Sequence, residues 1–440
     1  EEEGLAEEVE LRILPMEGHH KIGPFKCSLM PLAHSIPEMS AVVIDTPYGR
    51  IFHTGDWKLD DTPVIGTPST PEQLTALGDE GILAVVCDST NVFNTKESGS
   101  EGSVYPDLLR HVREAKGRVV VTSFASNAAR LQTLANVARE SGRKLCVAGR
   151  SLNRILTVAQ ATGYFKNLPE MVDMNAIDNH HRNEVLVIAT GGQGEARAAL
   201  ARIADNTHPI KVAEGDTIIF SSKQIPGNEI AIGKVMNQLA RRNVQMITEK
   251  QGHVHVSGHP GKPELAKLYG WLRPQMLIPV HGERRHMAEQ ARFGLEQGIP
   301  QALVQSNGDV VRLAPNGPEI VGHERTGRLI LDGDVILPAD GTTMNERRKA
   351  AIHGVMSVAV ALDPAGRLFG EPAVRILGVP VEEDREDFLS DACAAAAKAA
   401  MSQERDEAKL RESIRLAVRR VATEWTGKKP LVEVLLIRDR

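Results

Sequence analysis

"GRVVVTSFASNAARLQTLANVARESGRKLCVAG", residues 117–149, decides the fold. It opens with a β-branched apolar run, the composition of a strand buried on both faces. "SNAARLQTLANVARESG" then reads as a helix, and Ser126 followed by Asn127 can cap its start. "RKLCVAG" is a second short strand. The alternation continues with helix "SLNRILTVAQATGYF", strand "EVLVIATGG", a helix from Glu195 to Ala204, strand "DTIIFSS", helix "GNEIAIGKVMNQLARR" and strand "VQMIT". Such a series implies right-handed crossovers and a mainly parallel, doubly wound sheet covered on both faces.

The flanks read differently. Upstream, residues 9–14 and 25–33 are expected strands, and "AVVIDTPYGRIFHTGD" is a hairpin turning at Pro47-Tyr48-Gly49-Arg50. "GILAVVCDSTN" is a buried strand that stops at Asp88. Downstream of "GHVHVSGHPGK" come a helix over 264–271, the strand "QMLIPV", a helix over 283–297 and short strands. "GRLILDGDVILPADGTTMN" reads as a connector. The end of the chain is α+β, with a hairpin turning at 363–367, helices across 384–424 and the strand "LVEVLLI". Leu410, Ile414, Ala417 and Val421 mark one helical stripe there.

Composition bounds the function. The chain has 440 residues, 42% hydrophobic and 25% charged, a globular balance with room for several domains. A net charge of -5 gives no bulk nucleic-acid signature, although a basic channel can exist locally. Cys27, Cys87, Cys146 and Cys393 are far apart with no C-x-x-C pair, which argues against disulfide staples and cysteine-based zinc sites and fits a reducing cytoplasm. No apolar run approaches the roughly 18 residues of a membrane span. "EEEGLAEEVE" lacks the basic and apolar regions of a secretory signal, and without an initial methionine an upstream segment is expected.

Several polar residues share one context, a lone His or Asp where a strand stops. His281 ends "LIPV", Asp56 follows "HTG", Asp88 follows "LAVVC", His259 closes "HVSG", and His34 ends an apolar segment in "PLAHSIP". Strand ends hold side chains stiffly at the rim of a sheet, where α/β folds place chemistry. Imidazole nitrogens and carboxylate oxygens are also the donors a borderline divalent metal takes. Each residue has a plainer reading: satisfied core histidines for His34 and His281, a turn for Asp56, an Asx-turn or cap for Asp88, loop chemistry for His259. His53, His19-His20 and His180-His181 carry no such context.

"LAHSIP", "HTGDWKLD", "DSTN", "TSFASN", "TGGQGE", "IPGNE", "HVSGH" and "PVHGERRH" occur in an order that resembles the ribonuclease J family over nearly the whole chain. The resemblance implies a metallo-β-lactamase αββα sandwich, N-terminally incomplete, with an inserted doubly wound β-CASP domain and a small α+β C-terminal domain. The implied boundaries are 1–96 and 259–328 for the lactamase domain, 97–258 for β-CASP, 329–347 for a linker and 348–440 for the C-terminal domain. It further implies His34, Asp56 and His281 as metal ligands, with Asp56 bridging two Zn2+ (Mn2+ or Mg2+ also fit). His259 would protonate the leaving oxygen, oriented by Asp88. The family's first ligand cluster, His-x-His-x-Asp-His, is absent from these residues. The nearest lookalike, "HVHVSG" at 253–258, has Ser257 and Gly258 in place of Asp and His. Taken alone, the chain is expected to bind metal weakly or not at all.

The implied activity is zinc-dependent 5′→3′ exonuclease action on single-stranded RNA, with endonuclease capability and a preference for 5′-monophosphate ends, in RNA decay and maturation. Ser126 at a helix start suits a terminal phosphate, with His255 and Ser257 as further donors. Phe124 is the candidate for stacking on a base. Arg130, Arg150, Arg154, Arg284 and Arg285 are candidates for backbone contacts. A homodimer or homotetramer in the cytoplasm, free of membrane, completes the expectation. Two alternatives stand beside it: a small-molecule hydrolase on the same scaffold, and, because the first ligand cluster is missing, a non-catalytic RNA-binding or assembly subunit or an inactive fragment.

Overall fold

In the computed structural model, which describes residues 7–438 apart from Leu11, Glu17, Pro226, Gln403 and Arg405, the apolar runs before Asp56, Asp88 and His281 become strands of one sheet. Strands β1 (His19–Ile22), β2 (Phe25–Pro31), β3 (Ser40–Thr46) and β4 (Gly49–His53) come first, then helix α1 (Pro71–Asp79) and β5 (Ala84–Asp88). The expected strand over 9–14 is not there: Leu11 lies outside the described residues and the others carry no regular structure. Ile13 is 98% exposed, and apolar residues without a pairing partner make no strand. The first strand falls instead at His19–Ile22, in register with β2 through His19 and Ser28. The β3–β4 hairpin forms as expected, closed by the Thr46 and Gly49 pair.

The chain then builds the doubly wound unit. In order it runs through α2 (Tyr105–Glu114), β6 (Val119–Thr122), α3 (Ala128–Glu140), β7 (Lys144–Ala148), α4 (Arg150–Ala161), β8 (Val185–Ala189), α5 (Ala199–Ala204), β9 (Thr217–Phe220), α6 (Glu229–Ala240) and β10 (Gln245–Ile247). The sheet order is β10-β9-β6-β8-β7, every neighbour parallel. Leu131, Leu134 and Val119 pack on one side of it, and Leu200, Ile203 and Val120 on the other. Helix α2 was not anticipated, and α5 departs furthest from its expected start, at Glu195. Gly194, at φ 76°, passes so close to Ala231 that a Cβ would lie 2.5 Å from its backbone carbon, and this turn delays the helix to Ala199.

The return segment comprises α7 (Lys262–Leu272), β11 (Met276–Val280), α8 (Arg284–Glu296) and β12 (Gln301–Ala302). Strand β11 lies parallel to β5, pairing Val85 with Leu277 and Asp88 with Val280, and the full order is β1-β2-β3-β4-β5-β11-β12. One face of this sheet, with Val43, Phe52, Val85 and Leu277, buries against Leu74 of α1 and Leu265, Leu268 and Leu272 of α7. The alternate side chains Leu29, Val42, Ile44, Ile51 and Val86 are half-buried on the other face. This is one sheet and one helical layer of the expected αββα sandwich, with the parallel unit inserted between α1–β5 and α7–β11.

A buried charge network ties the inserted unit to the segment leading into it. Arg130 donates from Nη2 to Glu101 Oε2 at 2.9 Å, and from Nη1 to the carbonyls of Ser221 at 3.0 Å and Val254 at 2.9 Å. Its side chain is 0% exposed and that of Glu101 2%. The sequence-based expectation that Arg130 reaches an RNA backbone is therefore corrected: its fork is fully used inside the protein. Asn127, not Ser126, supplies the cap of α3, its Oδ1 accepting from Arg130 N at 2.7 Å.

The chain divides into two compact units after Glu324. The first ends on the hairpin of β13 (Asp309–Arg312) and β14 (Glu319–His323). In the second, the stretch expected as a connector holds the hairpin of β15 (Leu329–Asp332) and β16 (Val335–Pro338) and the start of α9 (Thr342–His353). Gly333, at φ 62°, opens the two-residue turn that "LDGDV" encodes. Then follow β17 (Val355–Leu362), β18 (Ala373–Leu377), α10 (Arg385–Ala400), α11 (Glu407–Thr426) and β19 (Leu431–Arg438). Strand β17 pairs antiparallel with β18 and parallel with β19. The fully buried line of α11 is Leu410, Ile414, Val418 and Ala422; Ala417 and Val421 flank it half-buried.

Candidate metal centre

Because β5 and β11 run parallel in register, Asp88 and His281 leave the sheet side by side. The chain after β5 folds back on the strand end. Thr90 N donates to Asp88 Oδ1 at 2.9 Å, the expected Asx-turn, and Thr90 Oγ1 donates to the His281 carbonyl at 2.7 Å. His281 itself adopts φ 52°, a left-handed conformation rare for a residue with a side chain. Gly282 makes this clamp possible: a Cβ there would lie 2.4 Å from Ser89 Oγ, which donates to Val280 O at 2.9 Å.

His281 Nδ1 lies 3.2 Å from Asp56 Oδ1 and 3.3 Å from Asp88 Oδ1. The other Asp88 oxygen, Oδ2, is 2.6 Å from His259 Nδ1. One buried carboxylate thus orients two imidazoles. Burial pushes the Asp88 carboxyl up, but hydrogen bonds from His259 and His281 outweigh this and hold its pKa well below the usual carboxylate range. The Asp88 hydrogen bond raises the pKa of His281 against the opposing effect of its partial burial. His34 lines a cleft together with His259 and His281. Its Nδ1 bonds to Gly258 O at 2.7 Å, leaving Nε2 free, and its ring centre is 5.3 Å from that of His259. Burial lowers its pKa, so the ring is neutral near pH 7. Gly258 is required for that fit, since a Cβ there would lie 2.6 Å from His34 Cε1.

Asp56, Asp88, His259 and His281 each offer a ligand atom, and these atoms all lie within 4.8 Å of one another. Two carboxylates and two imidazoles fit a zinc- or manganese-type ion. Of the three expected ligands, Asp56 and His281 belong to this compact group, whereas His34 borders it beside His259. His259, expected as a proton donor, stands inside it.

The cleft that His259 and His281 of this group line has a volume of about 960 Å³ and lies between the sheet rim and the inserted unit. All four residues expected to hold substrate line it: Phe124, Ser126, His255 and Ser257. Ser257 Oγ accepts from His259 N at 3.1 Å. His255 is nearly buried, its Nδ1 lacks a partner, and burial reinforced by nearby Arg130, Lys223 and Lys58 pushes its pKa down to about 3. It enters the cleft as a neutral ring. Arg285 lines the cleft, while Arg284, Arg150 and Arg154 are not among its lining residues. Sequence reasoning missed Thr90, Lys223 and His286, which also line it. Lys223 lies three residues past the end of β9, close to the strand-end context that singled out Asp88.

The pKa directions give a pH prediction for the metal-free protein. Asp88, depressed, contributes stability that is present above the unfolded carboxyl range near pH 4 and lost as acid titrates it below that. His281, raised, contributes stability that is complete below about pH 6.5 and lost as pH climbs through its folded pKa. The gap in melting temperature between wild type and His281→Gln is therefore expected to be wider at pH 6 than at pH 8.5. A gap of constant width would contradict the pairing.

The fold and this site define a metallo-hydrolase of the metallo-β-lactamase class that carries an inserted β-CASP domain. Family profiles agree segment by segment: ribonuclease J β-CASP domain over residues 116–239, Zn-dependent metallo-hydrolase RNA specificity domain over 249–300, and ribonuclease J C-terminal domain over 342–438. Ribonuclease J of Sinorhizobium meliloti is 38% identical over 437 residues, covering 98% of this chain and 78% of that protein. Ribonuclease J of Corynebacterium glutamicum is 37% identical over 375 residues, 84% of this chain and 52% of that protein. Ribonuclease J 1 of Streptococcus pyogenes is 38% identical over 335 residues, 75% and 60%. The chain belongs to the ribonuclease J family. It spans 52% and 60% of the length of the latter two relatives.

Proposed function

We propose that the chain acts in hydrolysis of single-stranded RNA, as a 5′→3′ exonuclease with endonuclease capability that prefers 5′-monophosphate ends, in cytoplasmic RNA decay and maturation. The observation that carries this reading is the Asp88–His259 pair, 2.6 Å apart, grouped with the Asp56 and His281 donors, where His259 and His281 line a cleft shared with the inserted unit.

Asp56 and His281, with His34 through its free Nε2, are this chain's residues that would hold the two Zn2+ (or Mn2+ or Mg2+) that the family resemblance implies. When bound, such ions lower the pKa of water and stabilise charge on a phosphodiester. The rest falls to the chain. Asp88 fixes the His259 ring through Nδ1, so that Nε2 faces the cleft and delivers a proton to the departing 3′-oxygen. Phe124 offers a face to a base. Ser126, at the start of α3, with Ser257 and the uncharged His255, presents donors to a terminal phosphate. Assembly as a homodimer or homotetramer belongs to the same proposal.

The test compares cleavage of 5′-monophosphorylated and 5′-triphosphorylated RNA, before and after chelation of metal. The expected result is cleavage that chelation abolishes, with a monophosphate preference that Ser126→Ala combined with Ser257→Ala erases. Cleavage that survives chelation refutes the metal-dependent reading. An unchanged preference in the double variant removes Ser126 and Ser257 from the phosphate pocket.

A further inference from the structure

The second unit contains a pocket of its own, about 350 Å³, built from three elements. Helix α9 contributes Lys349 and His353, α11 contributes Arg415 and Arg419, and Lys429 and Glu433 come from the entry to β19. Both helices present their pairs at i,i+4 spacing, so each pair lies on one face of its helix. The chain as a whole is acidic, at -5, so this concentration of cations is not a reflection of composition.

The charges are poorly answered from within. Arg415 is held by Glu412, Nε to Oε2 at 2.6 Å, and Glu433 is the single carboxylate in the lining. Among the described residues, no carboxylate forms an ion pair with Lys349, Arg419 or Lys429. Two nitrogens at the pocket, His353 Nδ1 and Arg419 Nε, are buried without a hydrogen-bond partner. Buried polar atoms in native proteins are nearly always satisfied, and exceptions call for an explanation such as a ligand or ion. An anion with several acceptor oxygens answers the clustered charge. Guanidinium groups are suited to phosphate oxygens by their planar fork, and lysines add point charges.

We propose that this pocket is a phosphate-binding site for the backbone of an RNA strand, formed within the second unit alone. The choice of RNA as the source of the phosphate rests on the ribonuclease reading; the site itself does not.

The experiment measures binding of a fluorescein-labelled, cleavage-resistant 2′-O-methyl single-stranded RNA to the full chain across a series of salt concentrations. Wild type is compared with Lys349→Gln combined with Arg419→Gln. Arg420→Gln, an exposed neighbour outside the pocket, is the charge control. The double variant is expected to bind about tenfold more weakly, with a log affinity–log salt slope shallower by roughly one to two. The control stays near wild type. Arg419→Lys keeps the charge and serves if the double variant does not fold; its affinity is expected between the two. In a second arm, inorganic phosphate raises the melting temperature of wild type and not of the double variant. RNA affinity and slope unchanged, with the phosphate effect lost, overturns RNA as the source and leaves free phosphate as the ligand. No change in either arm overturns the site. If wild type binds no RNA at all, the ribonuclease reading fails, and the phosphate arm alone decides the pocket.

Discussion

Replacing His259 with alanine is expected to lower RNA cleavage by about 10²- to 10⁴-fold, the usual range for a lost general acid, while the zinc bound per chain stays near the wild-type value. Nδ1 of the ring is held by the buried Asp88 carboxylate at 2.6 Å, and the ring centres of His34 and His281 lie 5.3 and 5.4 Å away. A metal-ligating histidine also commonly gives its second N–H to a carboxylate, so geometry alone admits either role. Metal content separates them. Loss of activity with zinc retained identifies a proton donor, whereas parallel loss of both makes His259 a ligand.

Replacing Arg130 with alanine is expected to cost about 3–5 kcal/mol of stability, the range seen when one partner of a buried ion pair is removed. The expense does not come from losing an attraction of that size. It comes from leaving the Glu101 carboxylate, 2% exposed, without its cation, and the carbonyls of Ser221 and Val254 without their donor. Urea unfolding followed by circular dichroism reads the shift. Arg130→Met combined with Glu101→Gln is expected to be less damaging than Arg130→Ala alone, because no buried charge is stranded. A single variant as stable as wild type would contradict the network.

Much of this was legible in the sequence. The parallel unit followed from strand–helix alternation, because strands buried on both faces have an apolar signature that tolerates few other readings. Asp88 and His281 follow from a local feature, the end of a strand, and the parallel pairing of β5 with β11 brings those two ends together; His259, expected at a strand end as well, stands instead in the loop between β10 and α7. What failed depended on partners that sequence does not show. The run at 9–14 had β composition and found nothing to pair with. "LDGDV" held a hairpin turn inside what read as a connector. Arg130 looked like a surface arginine because its acceptors lie far along the chain, at Glu101, Ser221 and Val254. Thr90 and Gly282, which clamp His281 into its left-handed conformation, carry no chemical signal until the strands are adjacent.

Zinc-edge anomalous diffraction from crystals of the protein soaked in Zn2+ tests most directly whether the reactive centre lies where these strand ends converge. The expected result is an anomalous peak about 2.0–2.2 Å from a His281 ring nitrogen and an Asp56 oxygen, lost in Asp56→Asn. Zinc bound elsewhere, or no peak beside His281 and Asp56, would contradict the assignment.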